Sequence, residues 1–225
     1  MAVGFLAACG RGDGDVLYIG GIPDQDVSVL EARFSLLADY LGDETGLDVR
    51  YVPSIVYAAV VTGFRNGDIH LAWYGGLTGV QARLAVPDAE VLAQRPRDQE
   101  FGSVFVAGKD SGITTLADLR GRTLVFGSES STSGYLMPLH FLLEAGLDPE
   151  QDLRRTGFSG SHDTTWKLVE TGAFDAGALN AAVWETRVAE GKVDLRRVDV
   201  FYTTPPYVDY HWVARGDLDS RYGDG

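Results

Sequence analysis

TLVFGSESSTSGYLMPLHFLLEAG, residues 123–146, sets a short apolar run (Leu124, Val125, Phe126) against a Gly/Ser/Thr cluster and then an apolar pattern at helical spacing. The reading is strand, turn, helix. Ser130, Ser131, Thr132 and Ser133 fall at the helix start. There the first N–H groups lack partners and the positive dipole end favours an anion. One Ser at that place would be an N-cap and nothing more. Four consecutive hydroxyls closed by Gly134 exceed what a cap needs, and they read as an uncharged oxyanion cradle.

Strand and helix patterns alternate on either side of this stretch. Val16–Ile19 is strand-like and ends in Gly20-Gly21-Ile22-Pro23-Asp24. Asp26 or Ser28 caps a helix with Leu30, Phe34, Leu37 and Leu41 on one face, closed by Gly46. Strands follow at 49–52, 69–73, 91–93, 103–107, 174–178 and 198–202, and helices at 54–64, 77–85, 114–119, 136–145, 164–171 and 181–190. This order predicts an α/β protein with largely parallel sheets, in two lobes. The expected division is 1–15 as leader and tether, 16–101 plus 205–225 as the first lobe, and 102–204 as the second. Crossings near Gly102 and Pro205 act as hinge strands, and a ligand cleft lies between the lobes.

Composition narrows the function. The 225 residues carry 32 acidic against 19 basic side chains, a net charge of −13, which disfavours nucleic acid and anionic membrane surfaces as partners. A bound anion must then be held by local dipoles and donors, because the overall field repels it. The single cysteine, Cys9, excludes an internal disulfide and two-Cys metal motifs. Its context, Leu6-Ala7-Ala8-Cys9 after an apolar run, is similar to the lipobox of bacterial lipoproteins. It predicts a lipid anchor at Cys9, a leader shortened at its start, and a polar tether over 10–15. Four histidines at scattered spacing predict no metal site, and no cofactor is expected.

Five motifs in order (YAA at Tyr57, AWYGG at 72–76, STSG at 131–134, SHDTT at 161–165 and PPYVDYHW at 205–212) resemble the phosphonate and phosphite substrate-binding proteins of bacterial ABC importers. Within that family the branch assigned to selenate looks nearest, through LTGVQA at 77–82 and TTPPY at 203–207. The resemblance implies a type II periplasmic binding protein: two α/β lobes joined by two hinge strands that close around one small oxyanion. It further implies an extracytoplasmic, lipid-anchored monomer that delivers the anion to a membrane permease. Family members continue with further helices on the first lobe, so the C-terminal part of that lobe is expected to be incomplete.

The resemblance also implies site residues. Ser131, Thr132 and Ser133 match the anion-binding triplet, and Tyr57 and Tyr74 match positions facing the ligand, against the alternative of core or rim packing. His162 would donate one N–H as a neutral imidazole, or serve as a surface or capping residue. Asn180 would donate to the ligand or brace the cleft. Asp209 is the most diagnostic position. A carboxylate repels a fully ionised ligand but accepts a hydrogen bond from one that still carries a proton, which favours phosphite, phosphate or a phosphonate over selenate. The alternative is an exposed turn. No carboxylate lies in Leu179–Trp184 to pair with an amine-bearing tail, so a bare oxyanion or short alkyl group is expected.

Two rival classes remain. A Ser133/His162/Asp163 or Asp209 triad would make an enzyme, yet no G-x-S-x-G, G-x-G-x-x-G, Walker or H-E-x-x-H motif occurs. A same-fold enzyme of the thiamine-pyrimidine-synthase type, or a ligand sensor for a membrane kinase, stands as the alternative.

Overall fold

The computed structural model describes residues 16–223; Cys9 and its tether lie outside the described residues. The chain begins β1 (Val16–Gly21), α1 (Val27–Thr45), β2 (Asp48–Tyr51), α2 (Tyr57–Asn66), β3 (Leu71–Tyr74), α3 (Gly76–Ala85) and β4 (Glu90–Ala93). It crosses to β5 (Ser103–Gly108), β6 (Thr123–Phe126), α4 (Met137–Glu144), α5 (Pro149–Asp152), β7 (Arg155–Phe158), α6 (His162–Glu170), β8 (Ala176–Asn180), α7 (Ala181–Ala189) and β9 (Val198–Thr203). It returns as β10 (His211–Ala214) and α8 (Leu218–Tyr222).

Two five-stranded sheets result, ordered β2-β1-β3-β10-β4 and β7-β6-β8-β5-β9. Each has a parallel core: β1 between β2 and β3, and β6 between β7 and β8. The expectation of largely parallel sheets needs correction, because β10 runs antiparallel to β3 and β4, and β5 antiparallel to β8 and β9. The reason is topological. A strand that enters from the other lobe does not arrive through a crossover helix, so nothing forces it parallel. The two crossings lie side by side: Phe101 and Tyr207 exchange backbone bonds of 2.8 and 2.9 Å, and Thr204 N–H donates to the Ser103 carbonyl at 3.0 Å.

Packing follows the periodicity read from the chain. Leu30, Phe34 and Ala38 form the buried stripe of α1, whose C-cap Gly46 takes φ +71°, a left-handed position that glycine adopts without a Cβ penalty. Phe34 stacks on Tyr51 at 4.7 Å, and Trp73, Tyr74, Phe64 and Tyr210 complete the first core. In the second lobe Phe105, Leu124, Phe126 and Leu142 pack on one sheet face, and Val106, Val125, Trp166 and Trp184 on the other. The helices therefore leave the loop ends of β1, β3, β6 and β8 facing one another across the cleft.

Candidate functional site

The 130–134 segment is built as a single π-helical turn, Thr132–Leu136, that runs into α4. Ser131 acts as the N-cap, its hydroxyl accepting from Gly134 N–H at 2.9 Å. The wider π turn, a feature frequent at functional sites, turns the next two hydroxyls away from self-capping. Thr132 Oγ1 accepts from Leu77 N–H at 2.8 Å, across the cleft. Ser133, 1% exposed, has a hydroxyl with no partner. Gly134 is required by close approach, since a Cβ there would stand 3.0 Å from both His162 Cε1 and Ser131 Oγ.

The opposite wall is the start of α3. Its N-cap, Gly75, has no side chain to cap with, so the first-turn N–H groups are met from elsewhere: Gly76 by Asp209 Oδ1 at 2.8 Å and Leu77 by Thr132. A Cβ on Gly75 would come within 3.0 Å of that Asp209 oxygen. Asp209 is 1% exposed and its second oxygen, Oδ2, has no partner. It is not an exposed turn residue. Burial pushes its carboxyl up to about 7, against the opposing pull of the Gly76 N–H.

His162 opens α6 and is fully buried. Its Nδ1 accepts from the Asn180 N–H at 3.3 Å, which places the ring proton on Nε2, and Nε2 has no partner. Burial holds the imidazole down at about 4, so it is a neutral donor across the physiological range. It is neither a capping nor a surface residue. Asn180 is a brace: Oδ1 caps α7 through Val183 N–H at 3.0 Å, and Nδ2 donates to Tyr210 Oη at 3.1 Å, which in turn donates to Asp24 Oδ2 at 2.9 Å.

Tyr57, at the first residue of α2, is 2% exposed and its hydroxyl also has no partner. Tyr74 differs from expectation. Its hydroxyl donates to the Val60 carbonyl at 3.2 Å and its ring meets Phe64 edge-on, so in this structure it is spent inside the first core. The end of β3 points this side chain to the α2 side of the sheet, and the following Gly75-Gly76 faces the cleft instead.

Among the described residues five buried side-chain polar atoms have no partner; four of them, Tyr57 Oη, Ser133 Oγ, His162 Nε2 and Asp209 Oδ2, come from four segments of both lobes, and the fifth is His211 Nε2 on β10. Unpaired buried polar atoms are costly, on the order of 1–3 kcal/mol each, so the four mark a place for a polar guest. The set offers hydroxyls, one neutral N–H and one carboxyl close to its titration point, with no Arg or Lys. Among the described residues no His, Cys, Asp or Glu cluster is arranged for a metal ion.

Supports invisible in the sequence hold this cage. Ser103 donates to the Ser133 carbonyl at 2.7 Å and meets Tyr207 Oη at 2.5 Å. Nothing but its position as a lone hydroxyl opening the apolar strand β5 marked Ser103. Asp24 and Tyr210 carry the Asn180 brace, and only their places beside Pro23 and within PPYVDYHW hinted at them. A cavity of about 170 Å³ is lined by the brace residues Asp24, Asn180 and Tyr210 with Arg33 and Trp73 among others, and none of the four unpartnered groups lines it.

Comparison with known proteins places the chain in a family. Residues 19–223 match the family described as ABC transporter, phosphonate, periplasmic substrate-binding protein. A Prochlorococcus marinus (strain MIT 9301) protein named "Probable ABC transporter phosphite binding protein PhnD1" is 48% identical over 217 residues, spanning 93% of this chain and 73% of its own length. The 1.52 Å structure of that PhnD1 in complex with methylphosphonate superposes with a TM-score of 0.91, covering 95% of this chain and 81% of the other. The phosphate-import protein PhnD of Mycolicibacterium smegmatis is 29% identical over 191 residues, 79% of this chain and 59% of that protein.

Proposed function

The chain belongs to the phosphonate-binding periplasmic substrate-binding proteins of ABC transporters, and on that premise we propose that it captures a single small tetrahedral phosphorus oxyanion, phosphite or a short alkylphosphonate, between its lobes. The observation that carries this reading is that Tyr57 Oη, Ser133 Oγ, His162 Nε2 and Asp209 Oδ2 are each buried and without a partner, with Gly134 packed against His162 and Gly75 against Asp209 and Thr132. Tyr57, Ser133 and His162 donate to the anion's oxygens, with the first-turn N–H groups of Thr132 and Ser133 beside them. Water is excluded on closure, so each neutral donor counts for more than on an open surface.

Asp209 supplies the selectivity. Burial raises its carboxyl to about 7 in the ligand-free protein, and in the proposed complex one proton is shared between Asp209 and the anion, whichever of them brought it. The sequence argument that a carboxylate rejects selenate is therefore narrowed. A dianion without a proton of its own is accepted only while Asp209 is protonated, whereas a monoprotonated phosphorus acid brings the proton with it. Ala181 and Ala182, with no carboxylate before Glu185, provide nothing to pair an ammonium tail. Delivery to a permease, a lipid anchor at Cys9, a monomeric state and the absence of covalent chemistry complete the proposal. The PhnD1 relative named for phosphite and crystallised with methylphosphonate supports the ligand class.

Calorimetric titration with phosphite, methylphosphonate, phosphate, selenate and sulfate between pH 5 and 9 tests this reading. Expected is one-to-one binding of phosphite and methylphosphonate, and a steeper loss for selenate and sulfate above pH 7. Equal affinity for selenate at every pH removes the role given to Asp209, and turnover of any of these anions removes the reading as a binding protein.

A further inference from the structure

Resting on that reading, we propose that residues Asp24–Asp26 of the first lobe are a latch for the closed state, and that Asp163 is its receiving residue. The loop between β1 and α1 touches α6 and α7 of the second lobe through backbone groups. Asp26 N–H donates to Asp163 Oδ2 at 3.1 Å, His162 N–H donates to the Asp24 carbonyl at 3.1 Å, and Arg187 Nη2 reaches Gln25 Oε1 at 3.5 Å. The arrangement is a reciprocal capping of two helices. The Asp24 carbonyl takes a first-turn N–H that α6 cannot satisfy itself, and the Asp163 carboxylate sits at the start of α1, whose own N-cap side chain makes no capping bond.

Charge explains why this contact is suited to repeated opening. Asp163 is paired within its own lobe with Arg187, at 2.6 and 2.8 Å, both side chains nearly inaccessible, and also accepts from Trp166 Nε1 at 3.4 Å. Parting the lobes therefore strands no buried charge, which a cross-lobe ion pair would do at high cost. What the first lobe withdraws from buried partners is neutral, one N–H, one carbonyl and one amide; the one charged contact, Asp26 to Lys167 at 3.7 Å, is half-exposed on both sides and so is solvated when the lobes part. The latch also adjoins the ligand. The backbone of His162 holds Asp24 while its imidazole Nε2 faces the niche, so a ligand that fixes the ring fixes the latch. Asp163 is in this sense a positioning residue.

Asp26→Pro deletes the N–H together with the carboxylate, without straining the backbone torsion, because Asp26 has φ −58°, which proline shares. Methylphosphonate titration of the full chain is expected to show about a tenfold weaker affinity, the size of one charge-assisted hydrogen bond lost, expressed as faster dissociation, with the ligand-free melting temperature unchanged. Asp26→Ala, which keeps the N–H but loses the long contact to Lys167 (3.7 Å), is expected to lose much less than the proline variant. Amide exchange on the unaltered protein gives an independent readout, with the Asp26 and His162 N–H groups becoming protected when methylphosphonate is added. Wild-type binding with equal affinity in Asp26→Pro, or no change in protection at Asp26, overturns the latch. A wild type that binds neither phosphite nor methylphosphonate overturns the site reading first, and with it ligand-coupled closure.

Discussion

At the residue scale, two buried tyrosines separate packing from recognition. Tyr57 and Tyr74 are both nearly inaccessible, but only Tyr74 has a partner for its hydroxyl. Tyr57→Phe is expected to weaken methylphosphonate binding by about tenfold or more while leaving the ligand-free protein as stable as before, because it removes an unpaired buried group. Tyr74→Phe is expected to do the reverse, costing about 1 kcal/mol of stability with affinity unchanged; calorimetry and thermal melts on the same pair decide it. Asp209 adds a pH signature. Its carboxyl is raised in the folded state from 3.8 to about 7, so the fold holds a proton that the unfolded chain has released, and its contribution to stability is lost as pH rises from about 4 through 7. His162, lowered from 6.5 to about 4, acts oppositely, its contribution growing as pH rises from 4 to 6.5. Comparing melts of wild type and Asp209→Asn from pH 4 to 8 isolates the first effect: the variant is expected to gain stability relative to wild type as pH rises. A constant difference contradicts it. A hydroxyl run, a turn histidine and a late carboxylate single out Ser133, His162 and Asp209 in the sequence, and the structure buries all three with an unpartnered polar atom each. That Tyr74 turns inward is not legible there, since a strand's last side chain is aimed by its pleat and by the neighbour it meets.

At the scale of elements, most strands and helices were readable from period and punctuation. The α1 helix spans Val27–Thr45 between Asp26 and Gly46 as the pattern required. Strand β7, Arg155–Phe158, gives no signal because an exposed edge strand shows no apolar alternation, and β10, His211–Ala214, lies beyond the extended crossing that Pro205-Pro206 marks and is too short to announce itself. The π turn at Thr132–Leu136 was beyond reach for a different reason: it depends on Gly127 and His162 pressing against Gly134 from segments distant in sequence. A methyl group tests that packing. Gly134→Ala puts a Cβ 3.1 Å from the Gly127 Cα and 3.0 Å from the His162 ring. It is expected to cost about 1–3 kcal/mol in stability and to abolish ligand-induced thermal stabilisation by displacing His162. A variant that melts and binds like wild type contradicts the close-approach argument.

For the whole molecule, the proposed site asks a chain of net charge −13 to receive an anion at four unpartnered groups none of which is a Lys or Arg. Dipoles supply what charge does not, and they work only when both lobes bring their share: Tyr57 and Asp209 from the first, Ser133 and His162 from the second. Closure and recognition are consequently one event, which is the logic of a protein that presents a closed, loaded form to a permease. The central claim is tested most directly by a crystal structure of this protein grown with methylphosphonate. The account predicts phosphonate oxygens within about 3.2 Å of Tyr57 Oη, Ser133 Oγ, His162 Nε2 and Asp209 Oδ2 together. A phosphonate found elsewhere, for instance in the cavity beside Arg33 with those four atoms still unpartnered, contradicts it.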